Sequence, residues 1–222
     1  MRLLVLEDAD ALAARAAAII TEHLAAGGDI GLAGGSTPEA AYRNLVTAAI
    51  DWPRVDAWMT DERHVPMDHP DSNSGMARRV LFGGVAARLH PVPWDDNAIT
   101  AAHRYEDQLA AFLPAGSSGP EPSLVILGLG TDGHTASLFP DCPQPEPDRN
   151  YTAIVVPGKG WRLTATYDLL ARARHTLFLV CGPHKAEALA AVLDGAPLPA
   201  TRVSMEARDP LWLVDREAAA LL

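Results

Sequence analysis

Short apolar runs recur along the chain, and most of the segments between them carry apolar residues at helical spacing. The runs are LLVL (3–6), DIGLAGG (29–35), VDAWMT (55–60), LHPVPW (89–94), SLVILGLG (123–130), AIVVPG (153–158), HTLFLVCG (175–182) and LWLVD (211–215). Each reads as a strand. Their alternation with helical segments predicts a Rossmann-like α/β fold, a mostly parallel sheet with helices on both faces. SLVILGLG and HTLFLVCG are apolar nearly throughout, as strands buried on both faces must be, so these two should be central.

At 222 residues, with 48% hydrophobic and 21% charged positions, the chain fits one domain spanning 1–222. The Pro/Gly-rich stretches PAGSSGPEP (114–122) and PDCPQPEPDRN (140–150) are too short for linkers and read as surface loops. No repeat at solenoid period is visible. The N-terminal MRLLVLEDADALAARAAAII resembles a leader only superficially, because Glu7, Asp8 and Asp10 interrupt the apolar run. A strand followed by an Ala-rich helix accounts for it better. No apolar stretch reaches the roughly 18 residues of a membrane span.

The formal net charge of −10 opposes nucleic-acid binding, and no basic face with interleaved aromatics offsets it. Any anionic ligand must therefore meet a local positive pocket. The two cysteines, Cys142 and Cys181, have neither a disulfide-scaffold nor a zinc spacing, so no metal is expected and the cytoplasm is the expected compartment. The pattern specifies no oligomeric state.

In open parallel sheets ligands gather beyond the carboxyl ends of the strands, which directs attention to the strand exits. GLAGGSTPEAAY predicts a Gly34-Gly35 turn, Ser36 or Thr37 as helix N-cap and Pro38 at the first helical position. Free N–H groups and two hydroxyls there suit a phosphate, although an ordinary capped helix would look the same. WMTDERHVP places Asp61, Glu62 and Arg63 directly after a strand, and DSNSGMARRVLF adds Asn73 and the Arg78-Arg79 pair, which fits a solvated surface equally well. CGPHKAEAL puts Lys185 in the first turn of a helix, against the dipole's preference. A bound anion would resolve that mismatch; a solvated lysine, like a solvated Arg162 in GKGWRLTATY, is the alternative.

GLGTDGHTASLFP (128–140) carries two readings. Gly128-x-Gly130-x-x-Gly133 has dinucleotide-binding spacing, but the acid expected some 20 positions later would be Asp148, inside a Pro-rich loop. Asp132 and His134 are two apart in a turn or extended segment, so the carboxylate can orient and charge-stabilise the imidazole. The second reading is preferred.

Together the exits resemble the 6-phosphogluconolactonase family, through GLAGGSTP, WMTDERHVP, DSNSGMARRVLF, LVILGLGTDGHTASLFP, RLTATYDLLARARHTLFLVCGPHKAEAL and LWLVDREAA in this order. The resemblance implies hydrolysis of 6-phospho-D-glucono-1,5-lactone to 6-phosphogluconate in the pentose phosphate pathway, without metal or organic cofactor. It assigns His134 as base with Asp132 in support and puts Asp61 and Arg63 at the lactone end. Gly35, Ser36, Thr37, Arg162 and Lys185 fall to the phosphate. Two other readings compete. The related glucosamine-6-phosphate deaminases carry a glutamate after the shared histidine, in a segment like GHIAFNEP, where this chain reads GHTASLFP with Phe139; DER also replaces their DEY. A non-catalytic sugar-phosphate sensor would normally need an attached DNA-binding segment, and the chain starts directly with a strand.

Overall fold

The computed structural model describes residues 2–143 and 148–222. The predicted surface loop 140–150 therefore lies partly outside the described residues. The main sheet has seven strands, in the order β1 (Arg2–Leu6), β12 (Pro210–Asp215), β11 (His175–Val180), β8 (Leu124–Gly128), β2 (Gly28–Leu32), β3 (Val55–Met59) and β5 (Arg88–His90). All pairings in it are parallel. β8 and β11 are interior neighbours, as their unbroken apolarity requires. β5 ends at His90 because Pro91 and Pro93 cannot donate to a ladder.

Period-two alternation splits each central strand between two cores. Leu124, Ile126, Leu177 and Leu179 face one side with α1 (Ala9–Leu24) and α2 (Ser36–Leu45). Val125, Leu127, Phe178 and Val180 face the other, against α4 (Ala98–Phe112), α5 (Tyr167–Arg172), α6 (Ala186–Leu193) and α7 (Pro199–Glu206). Helices thus cover both faces, and burying several large apolar side chains per strand, at about 1.5–3 kcal/mol each, fixes the register. None of the helices among the described residues is long and apolar enough to cross a membrane.

One sequence expectation needs correction. AIVVPG is a strand, β9 (Tyr151–Val156), but not of the parallel sheet. It forms a hairpin with β10 (Gly160–Ala165), which in turn pairs antiparallel with β4 (Asp61–Arg63). The connection Pro157–Gly158–Lys159 is too short for a crossover, so only an antiparallel return is possible. The 114–122 loop contains a minimal hairpin of β6 (Ala115–Gly116) and β7 (Gly119–Pro120). The small β4–β10–β9 sheet carries the DER segment to the carboxyl ends of the parallel strands.

Candidate active site

A cavity of about 440 Å³ opens at that end, lined among others by Gly35, Ser36, Thr37, Asp61, Arg63 and Asn73 on one flank and by His134, Ala136, Cys181, His184 and Lys185 on the other. Five separate stretches of the chain converge here because β2, β8 and β11 all end at this edge. Residues Gly35, Ser36, Thr37, Asp61, Arg63, His134 and Lys185 are brought together as the exits suggested. Asp132 lies behind His134 rather than in the wall. Arg162 is outside the lining, and its guanidinium donates to the carbonyls of Lys159 (2.7 Å) and Trp161 (3.1 Å). Arg78 and Arg79 are exposed and take no part.

The His134 imidazole is held from two sides. Its Nδ1 bonds Asp132 Oδ1, and its backbone N–H donates to the same oxygen at 3.1 Å. Facing a carboxylate, Nδ1 must carry the proton, which leaves Nε2 as the acceptor. Burial alone would raise the Asp132 carboxyl, but the bonds from His134 outweigh it and hold the group below the usual carboxylate range. Phe139 stacks on the imidazole with ring centroids 4.2 Å apart. Ala136, two residues after His134, has φ of 48°, an unfavourable conformation for a residue with a Cβ and of a kind that concentrates at functional turns.

One glycine of this loop, Gly130, makes room for the histidine. A Cβ on Gly130 would lie 1.9 Å from His134 Nδ1 and 2.6 Å from Asp132 Oδ1. Gly130 therefore lets the Asp132–His134 pair lie against bare backbone, a reason for this glycine that needs no pyrophosphate.

On the opposite flank, Asp61 and Arg63 project from β4. Arg63 Nη1 donates to the Asp71 carbonyl (2.8 Å) and to Asn73 Oδ1 (2.6 Å). Ser137 Oγ donates to Asp61 Oδ2 at 2.7 Å, tying the loop after His134 to β4. Glu62, between them, is buried and turned away; it accepts from the backbone N–H groups of Asn73 and Ser74 (2.7 Å each) and of Arg63 (2.9 Å). Burial pushes its carboxyl up, against the opposite pull of those bonds.

Two local expectations are corrected at the phosphate end. Gly35, with φ of 103°, is the N-cap of α2, so Ser36 and Thr37 lie in its first turn and Pro38 is the third helical residue. The glycine turn replaces a side-chain cap, and the two hydroxyls stay available to the cavity. Lys185 likewise ends a short 3₁₀ turn, Pro183–Lys185, and occupies the N-cap position of α6 rather than its first turn. Burial lowers its pKa, and the Asp132 charge pulls the other way. The Arg162 pKa is lowered by burial first and then by Arg63, its direct cross-strand partner.

Sequence reasoning did not assign Asn73, Ser137 or His184 a role. A signal existed only for Asn73, in Ser72-Asn73, where Ser72 caps α3 (Asn73–Ala77).

Residues 4–212 match the family described as glucosamine-6-phosphate isomerases/6-phosphogluconolactonase. The 6-phosphogluconolactonase of Synechocystis sp. is 38% identical over 201 residues, 86% of this chain and 83% of that protein. The solved 6-phosphogluconolactonase of Trypanosoma brucei superposes with a TM-score of 0.89 at 28% identity, over 100% of this chain and 98% of that one. A solved monomeric glucosamine-6-phosphate deaminase superposes with a TM-score of 0.87 over 100% of both chains at 21% identity, which establishes a common fold. With nearly its whole length matched, the chain belongs to the glucosamine-6-phosphate isomerase/6-phosphogluconolactonase family.

Proposed function

We propose that the protein hydrolyses 6-phospho-D-glucono-1,5-lactone to 6-phospho-D-gluconate, the lactone-opening step of the oxidative pentose phosphate pathway, in the cytoplasm and without a cofactor. One observation carries the reading. In a chain of net charge −10, the cavity presents Arg63 and Lys185 with no carboxylate within 4.0 Å among the described residues, opposite an oriented Asp132–His134 pair. Unneutralised cations beside a positioned base suit an anionic substrate that must be attacked by water.

In this reading the phosphate lies against the Gly35-Ser36-Thr37 turn, where N–H groups, hydroxyls and the α2 dipole favour an anion, and against Lys185. Arg162 joins it after leaving the carbonyls it now meets. Nε2 of His134 accepts a proton from water as the water oxygen bonds to the lactone carbonyl carbon. Arg63, whose remaining guanidinium N–H groups are available, receives the developing oxyanion. When the carbon–ring-oxygen bond breaks, the imidazolium returns the proton to the departing oxygen, and the new carboxyl loses its own proton to solvent. Asp132 stabilises the imidazolium throughout. Asp61 lines the lactone end, where it can accept from substrate hydroxyls.

The deaminase reading lacks support at one position. Ring opening and proton transfer between carbons need a further acid–base group near the histidine, and here the apolar ring of Phe139 occupies that place. The test is a coupled assay on freshly generated lactone, corrected for spontaneous hydrolysis. Turnover well above background is expected; its absence from folded protein would refute the proposal.

A further inference from the structure

We infer that Asn73 is a positioning residue that holds Asp61 and Arg63 apart, so that carboxylate and guanidinium each face the substrate uncompensated. The inference rests on the lactonase reading above.

Asp61 and Arg63 are two apart on β4, so their side chains emerge on the same face. Opposite charges so placed would ordinarily pair. Yet among the described residues neither has an oppositely charged group within 4.0 Å. The Asn73 amide stands between them. Its Oδ1 accepts from Arg63 Nη1 at 2.6 Å, while its Nδ2 donates to the Asp61 carbonyl at 2.9 Å and to Asp61 Oδ1 at 3.3 Å. A neutral group offering both an acceptor and a donor satisfies both charges without cancelling either.

The amide has little freedom to move. Its backbone N–H is fixed by buried Glu62 at 2.7 Å, and the same carboxylate holds Ser74 N–H and Ser72 Oγ. Gly34 presses on the amide so closely that a Cβ there would lie 1.9 Å from Asn73 Oδ1. Only one amide orientation fits, because a flipped group would set its N–H₂ against the guanidinium and its oxygen against Asp61. Collapse of Arg63 onto Asp61 would remove the positive charge meant for the oxyanion, a loss felt in the transition state more than in substrate binding.

The experiment uses the full chain with Asn73→Asp and Asn73→Ala, assayed on fresh lactone with melting temperatures measured in parallel. Asn73→Asp keeps the size, the backbone N–H and an acceptor for Arg63, but sets a carboxylate where the amide donated to Asp61. The expected result is a kcat lower by about 10²-fold or more for Asn73→Asp, as for loss of an oxyanion donor, with KM within about threefold. Its melting temperature should fall by several degrees, because a buried donor is lost beside Asp61, with cooperative unfolding retained. Asn73→Ala should lose about tenfold or more in kcat, since Arg63 can then reach Asp61. A folded variant with kcat within about threefold of wild type, or a raised KM at unchanged kcat, would overturn the inference. If Asn73→Asp melts, the same criteria apply to Asn73→Ala, and unfolding of both would assign the residue a structural role instead. Failure of the functional reading is distinct, since wild type itself would then show no lactone turnover.

Discussion

The ring of Phe139 stacks on the imidazole of His134, with centroids 4.2 Å apart and planes inclined by 29°. Phe139 is itself packed with Ile154 and Val156 of the small antiparallel sheet, so that sheet fixes the plane of the proposed base. Phe139→Ala should lower kcat by roughly tenfold, as expected when a reacting group is misaligned, with little change in KM. Wild type should release no ammonia from glucosamine 6-phosphate while turning over lactone. Ammonia release with comparable kcat/KM would reverse the assignment within the family.

His134→Ala should reduce kcat by about 10²–10⁴-fold, the usual contribution of a general base, in a protein that still folds. Asp132→Asn keeps a bond to Nδ1 but removes the charge, so its loss should be smaller. Background-corrected turnover of the folded variants decides: near wild-type rates in His134→Ala would exclude it as the base.

Gly130→Ala tests the pair without touching either member. The new methyl would sit 1.9 Å from Nδ1, forcing His134 away from Asp132. Activity should fall about as far as in His134→Ala, by 10²-fold or more. A Gly130→Ala enzyme with unchanged kcat would show that the close approach is dispensable.

Lys185→Ala should chiefly raise KM, and 6-phosphogluconate should raise the melting temperature of wild type more than that of the variant. Arg162→Ala should do the same, because in the proposed complex Arg162 leaves the Lys159 and Trp161 carbonyls for the phosphate. Unchanged KM in Lys185→Ala, with an undiminished ligand-induced shift, would remove it from the phosphate site.

Asp56 predicts the acid limb of stability. Its hydrogen bond from Arg88 holds the carboxyl below the usual range, with a further contact from His90. A depressed folded-state pKa contributes stability that is present above the unfolded carboxylate pKa, about 3.9, and is lost as pH falls through the folded value. Asp132 and Asp209 are shifted in the same direction. The melting-temperature difference between wild type and a variant lacking the Asp56 charge should therefore hold from neutral pH to about 5 and shrink below about 4. Asp56→Asn should melt a few degrees lower at pH 7 and converge on wild type in acid. A constant difference across pH would point to lost packing instead.

The sequence by itself determined the central parallel strands and the identity of most of the cavity wall. Unbroken apolarity placed β8 and β11 in the interior, since only strands covered on both faces need it, and strand exits such as GGSTP and GTDGHT had to meet at one edge because parallel strands end together. What those exits do to one another was decided by tertiary structure. The DER segment read only as charges after a strand because a three-residue strand has no periodicity of its own; pairing with β10 made it β4 and turned Glu62 inward to Asn73 and Ser74. Gly35 took the cap that Ser36 or Thr37 was expected to supply, because its left-handed backbone made the turn without a side chain. Asn73 between Asp61 and Arg63, and Phe139 against His134, join residues by proximity in space, which composition and spacing along a chain do not encode.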